Sequence, residues 1–174
     1  VMATEVNNDP LDREYGTGAA GQYLIFMLAG EEYGVEILKV QEIKGWDRAT
    51  PIPNAPEYVL GVLNLRGAVV PIIDLRCRFG NERVPYGPTT VVIVVKMHSE
   101  EQERTVGIVV DAVADVYRLE DSDIQPPPEM GDSAHTEYVG GLATVDDKMV
   151  ILLEVDRLID FKDMQPVGAQ ASAA

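Results

Sequence analysis

The chain is poor in cysteine, in histidine and in positive charge. A single cysteine, Cys77, excludes an internal disulfide framework and suits a reducing compartment. Only 14 Lys and Arg stand against 29 Asp and Glu, a formal charge of −15. Nucleic acids and anionic membrane surfaces are gripped through clustered cations, and no such cluster interrupts this acidic field. Partners are therefore expected among proteins, with no nucleic acid. No run approaches the roughly 20 apolar residues that cross a bilayer, so no direct membrane insertion is predicted. The N-terminus lacks a basic stretch followed by an apolar one, which predicts no signal peptide and a cytoplasmic location.

The residues of catalysis are missing as patterns. His98 and His135 fall in polar segments with no nucleophile patterned beside them. Ser99, Ser122, Ser133 and Ser172 lie in loops or tails, none within Gly-x-Ser-x-Gly. There is no Gly-rich phosphate loop, and too few Cys and His for a zinc site, so neither cofactor nor metal is expected. Asp121-Ser-Asp123 lacks the Gly and terminal Glu of a calcium loop and reads as a turn with capping carboxylates. Cys77 reads as a small buried hydrophobe, and Pro126-Pro127-Pro128 as a rigid connector. No enzyme is expected.

What the chain has is β pattern. Its 174 residues suffice for one domain or two small, closely joined ones. Residues 1–21 are polar and acidic and read as a disordered N-terminal tail; 163–174, rich in Ala, Gln and Gly, read as a flexible C-terminal tail. Between them, Val-, Ile- and Tyr-rich runs predict strands at 22–28, 32–37, 40–45, 59–65, 69–75, 90–97, 105–110, 114–118, 139–145 and 149–155. Short helical turns are expected at 36–39, 74–79 and 156–159. Runs such as Val91–Val95 are apolar at every position, as in strands covered on both faces.

The runs also repeat. Tyr33-Gly34-Val35, followed by Ile37, Val40 and Ile43, matches Val106-Gly107-Ile108, followed by Val110, Val113 and Val116, 73 positions on. Tyr58-Val59-x-Gly61 matches Tyr138-Val139-x-Gly141, and Val69–Leu75 lies over Met149–Val155, both at an offset of 80. The difference is one insertion, placed within Met130–Glu137. Two halves of about five short strands each point to small antiparallel barrels. Apolar strands with both faces covered are explained if the barrels share a core.

The strongest local signal is Gly61–Leu75. Asn64-Leu65-Arg66-Gly67 interrupts two apolar runs, so it predicts a hairpin in which Gly67 is free to take positive φ. Arg66 then projects at the hairpin end. It either satisfies a neighbouring carboxylate or carbonyl, or anchors an interface, where Arg is over-represented.

Across 22–163 the chain resembles the chemotaxis coupling protein family CheW, through Glu32–Ile43, Gly61–Leu75, Thr90–Val94 and Val106–Asp111. The resemblance implies an all-β fold of two SH3-like five-stranded barrels related by a pseudo-two-fold. Barrel one is expected at about 22–88 and barrel two at about 89–162, the latter open to completion by the N-terminal strand. It implies a non-catalytic adaptor joining the cytoplasmic tip of methyl-accepting chemoreceptors to the regulatory domain of the histidine kinase CheA. Recruitment to the inner membrane face would run through the receptors, and rings with other CheW copies are a further implied assembly. Carried over residue by residue, the receptor-facing candidates are Val40, Glu42, Arg66, Val91 and Val113, with Arg66 and Glu42 able to pair. Ile52, Gly61, Val62 and Ala68 are the kinase-facing candidates. For the apolar residues core packing is an equal reading, and Gly61 is as readily a backbone requirement. Three rivals stand beside this: a like module from a kinase or a receiver fusion, a nucleic-acid-binding small barrel opposed by the charge, and a hydrolase with an unrecognised site.

Overall fold

The structure, a computed structural model, describes residues 21–82, 84–99, 102–127 and 138–158. Apart from Gly21, the two tails lie outside the described residues, as does the Met130–Glu137 insertion. The strands are β1 (Gln22–Leu28), β2 (Glu31–Glu36), β3 (Val40–Gly45), β4 (Val59–Leu65), β5 (Ala68–Asp74), β6 (Val91–Ser99), β7 (Gln102–Val110), β8 (Ala112–Arg118), β9 (Ile124–Gln125), β10 (Val139–Val145) and β11 (Lys148–Leu153). A four-residue helix, α1 (Leu75–Arg78), follows β5, and 3-10 turns occupy Ile37–Lys39, Asp121–Asp123 and Val155–Arg157. The ten predicted strands and three helical turns are all present, with ends shifted by a few residues. The added strand β9 has two residues and pairs only through Leu142–Gln125 and Ala143–Ile124.

The strands form two barrel-like sheets. The first barrel runs β3-β6-β7-β5-β4 and the second β8-β1-β2-β11-β10-β9. A division of the chain at about residue 88 therefore does not hold. Strands β1 and β2 belong with β8, β10 and β11, while β6 and β7 belong with β3, β4 and β5. The reason is the connection after each repeated strand. The Ile37–Lys39 turn carries the chain from β2 in one barrel to β3 in the other, and Asp111 carries it from β7 back to β8. Each repeated unit therefore straddles both barrels.

The pseudo-two-fold holds residue by residue. Gly34 pairs with Ile25 and Leu152, and Gly107 pairs with Val94 and Ile72. A Cβ on Gly34 would lie 3.0 Å from both Ile25 and Leu152, and one on Gly107 2.6 Å from Ile72. The two glycines thus make room for the same barrel filling. Register shifts recur too, between Val40 and Glu42 in β3 and where Val113 and Asp115 of β8 face β1. Another pair occurs at Val59/Gly61 and Val139/Gly141.

Alternation explains the doubly apolar strands. On β6, Ile93, Val95 and Met97 enter a core shared with Leu24, Phe26 and Leu28 of β1, while Val92 and Val94 fill the first barrel. Ile25, Val150 and Leu152 fill the second. Burying each such aliphatic side chain stabilises by about 1.5–3 kcal/mol. The seam thus holds the barrels to each other through the largest apolar cluster. An aromatic row crosses it, from Phe26 to Tyr33 to Phe79 to Tyr138, with ring centroids 5.5–5.9 Å apart.

Polar groups tie the seam as well. Buried Asp74 caps α1, accepting from the Arg76 and Cys77 N–H groups, and takes the Tyr86 hydroxyl at 2.7 Å. Arg76 donates twice to Asp111, at 2.9 and 2.7 Å, and the Ala29 N–H donates to the same carboxylate. That links α1 of the first barrel to the β1–β2 hairpin of the second. Burial alone would raise the Asp111 carboxyl, but the Arg76 and Ala29 hydrogen bonds and the Arg76 charge outweigh it and hold the carboxyl below its ordinary range.

Candidate functional site at the Glu42–Arg66 edge

The β4–β5 connection is a two-residue turn closed by the Leu65–Ala68 pair. Both central residues have positive φ, 54° at Arg66 and 86° at Gly67, the type I′ geometry that suits strand twist. Gly67 was the residue expected to carry it; Arg66 shares the burden. Ala29 and Asp146 open their own two-residue turns at 53° and 51°, so the strain belongs to the hairpin type and not to a special role of Arg66. Asn64 Oδ1 accepts the Gly67 N–H at 2.9 Å and fixes the turn.

This turn sends the Arg66 guanidinium back over the barrel edge, where Nη2 meets Glu42 Oε2 at 3.0 Å. Glu42 stands on β3, one edge of the first sheet; Arg66 stands beside β4, the other edge. The ion pair therefore latches the barrel across its opening. The Arg66 side chain remains 82% exposed against 28% for Glu42. Solvent screening makes such a pair worth little to the fold, about 0–1 kcal/mol. A cheap, exposed latch is free to change partners.

The other receptor-facing candidates are spread out. Val40 begins β3 opposite Val95, and Val91 lies four residues along β6, opposite Gly45, roughly 13 Å away at strand rise. Both are partly buried against the shared core. Val113 occupies the Val40-equivalent position on β8 in the second barrel, and is 36% exposed. The structure brings Glu42 and Arg66 into contact, sets Val40 and Val91 at the margin of the seam, and leaves Val113 on the opposite sheet.

Among the kinase-facing candidates, Gly61 has a plain backbone reason. Its φ is 144°, and a Cβ there would sit 2.0 Å from the Thr50 carbonyl oxygen. The approach is that close because Thr50 and Val62 exchange both backbone hydrogen bonds, at 2.9 and 2.8 Å. Ile52 is half-buried against the shared core, and Ala68 is exposed.

The CheW-like domain family matches residues 22–163. The chain belongs to the CheW family. A chemotaxis protein CheW from Klebsiella aerogenes is 46% identical over 158 residues, 91% of this chain and 93% of the relative. One from Rhizobium meliloti is 37% identical over 149 residues, covering 86% and 94%. Among solved structures, the scaffolding protein TtCheW from Thermoanaerobacter tengcongensis superposes with a TM-score of 0.73 at 35% identity, covering 81% of this chain and 93% of that one. The CheW fold is thus the two-barrel arrangement described above, and the family is one of chemotaxis scaffolds.

One residue at the CheW seam had no sequence argument behind it. Arg78 lies over the rings of Tyr58 and Tyr138, 4.8 and 4.6 Å from their centroids, and its Nε donates to the Leu158 carbonyl at 2.6 Å. The two tyrosines are the repeated Tyr-Val pair, so a single guanidinium is held between pseudo-equivalent rings from the two barrels. The repeat pointed at the tyrosines; nothing local pointed at the cation between them.

Proposed function

We propose that this chain is a non-catalytic adaptor that couples transmembrane chemoreceptors to the histidine kinase CheA. It would act in the cytoplasm and be drawn to the inner face of the membrane through the receptors. The observation that carries the reading is the Glu42–Arg66 latch, a solvent-exposed ion pair beside a margin of apolar residues. A receptor helix entering there takes over the guanidinium and desolvates Val40 and Val91, as helix-in-groove recognition requires apolar contact with a polar rim. Val113, on the other barrel, is reached only by a helix that spans the seam. The regulatory domain of CheA is assigned to the first barrel around Ile52, Val62 and Ala68, with Gly61 holding the backbone between them. Moderate binary affinities would be raised by multivalency in rings with further copies.

Calorimetric titration against a receptor cytoplasmic fragment and, separately, against the kinase regulatory domain tests this. Saturable binding to both, at sites that do not compete, is the expected outcome. Binding to neither would reject it.

A further inference from the structure

The pseudo-two-fold lets one barrel report on the other. Glu42 pairs with Val94 across its ladder, and its counterpart Asp115 pairs with Ile25. Arg66 opens one two-residue turn, and its counterpart Asp146 opens the other, closed by Val145–Lys148. So where the first barrel places a guanidinium against a carboxylate, the second places a carboxylate at each position. The latch is missing its cation.

Three further observations mark the second barrel's mouth. Glu32 stands on the strand face of Gly34, towards the second barrel's interior, and its Oε2 is buried with no hydrogen-bond donor. Burial first, and then the negative fields of Glu32, Asp115 and Asp146, push the Tyr117 hydroxyl above its ordinary range. A recess of about 290 Å³ opens at Glu32, lined also by Met27, Gly30, Glu31, Lys148 and Met149. Lys148 makes no ion pair with a described residue. Met149, itself exposed, forms part of the rim.

We propose that the mouth of the second barrel receives an arginine side chain from a partner protein, in the position Arg66 holds in the first barrel. The first barrel supplies the precedent for the occupant: the same ladder position, the same turn, and a guanidinium between them at 3.0 Å. Glu32 Oε2 gains the donor it lacks, and the methionines cover the aliphatic stem. Charge complementarity favours a basic residue, and a planar fork satisfies two carboxylates better than a point charge. The inference rests on internal symmetry and not on the receptor reading, so either can fail alone.

The test uses the full chain and N-acetyl-arginine amide as probe, followed by the Met27 and Met149 methyl signals and the Tyr117 ring signals in NMR. N-acetyl-citrulline amide, the same shape without charge, is the control. Saturable shifts confined to these residues with the arginine probe, and none with citrulline, are expected. The Asp115→Asn/Asp146→Asn double variant should bind about tenfold more weakly. Asp146→Arg, which supplies the guanidinium within the chain at a turn φ that Arg66 already tolerates, should abolish probe binding. Shifts spread evenly over the acidic surface, or unchanged in the double and Asp146→Arg variants, would overturn the proposal. Circular dichroism of each variant confirms that both barrels are intact.

Discussion

The two barrels share strand order, register shifts, hairpin type and the glycine inside each wall, yet their hairpin turns carry opposite charge. At the turn, Arg66-Gly67 faces Asp146-Asp147, while on the edge strand both barrels carry a carboxylate, Glu42 and Asp115. What is common is what steric fit and apolar burial require of a small barrel. What differs is what solvent leaves free, and a scaffold does its work with that part. The Cβ-forbidden positions separate the barrels further. A Cβ on Gly61 meets backbone at positive φ, whereas one on Gly141 meets the Ile124 side chain at 2.6 Å, with the Gln125 carbonyl at 3.2 Å.

That contrast gives the largest expected effect. Gly61→Ala should destabilise by about 3 kcal/mol or more, combining strained φ with an unyielding contact. Gly141→Ala should cost only about 1 kcal/mol, because a side chain can move. Urea unfolding of both variants measures the difference, and equal losses would show that the close approach of Thr50 is not the cause. Next comes Arg78, which touches both barrels. Replacing it with Met removes a carbonyl hydrogen bond and two ring contacts, and should cost about 2 kcal/mol. A loss confined to one barrel's amide protection in hydrogen exchange would break the idea of a shared pin.

Smaller still is the acid response of Asp111. Its carboxyl is held low in the folded state, so its contribution is present above the unfolded value of about 4 and is lost as pH falls through the folded value. The side chain is 31% exposed, so screening keeps the contribution at about 1 kcal/mol or less. Asp111→Asn should therefore flatten the decline in stability below about pH 5 while changing its neutral-pH slope little. An unchanged acid limb would assign that decline elsewhere. The smallest effect on the fold belongs to Arg66→Ala, within about 0.5 kcal/mol. The same variant should weaken binding to a receptor fragment by about 1–3 kcal/mol, the size of a lost interface anchor. Unchanged affinity would remove the latch from the receptor reading.

Much of this fold is legible in the residues, because strands buried on both sides must be apolar throughout. Val91–Val95 announced a shared core for that reason, and the bare offsets of 73 and 80 announced the duplication. Two features escaped. Strand β9 is two residues beside prolines, too short for alternation to register. The N-terminal strand was expected to be able to complete the second barrel, and β1 does. The passage of β6 and β7 into the first barrel escaped because each repeated unit looks the same whichever barrel its two strands enter; only the short link after β2 and the single residue after β7 decide it. At the site, Arg66 could be seen to need a partner, and family resemblance named Glu42. Arg78 could not be seen, since its partners sit 20 residues before it and 60 after it in the chain.

The exchange of strands has a consequence for how the molecule is made. During synthesis the first barrel cannot close until β7 has emerged, at Val110, although its opening strand β3 appears seventy residues earlier. The β1–β2 hairpin, which leaves the ribosome before any other element described, waits longest. Its partners β8 and β11 are complete only at Arg118 and Leu153. Until then Phe26, Leu28 and Val35 have no complete core to enter, and non-local pairing of this kind is slow. A nascent chain stalled between these points would expose a sticky hairpin, the natural place for a chaperone to bind.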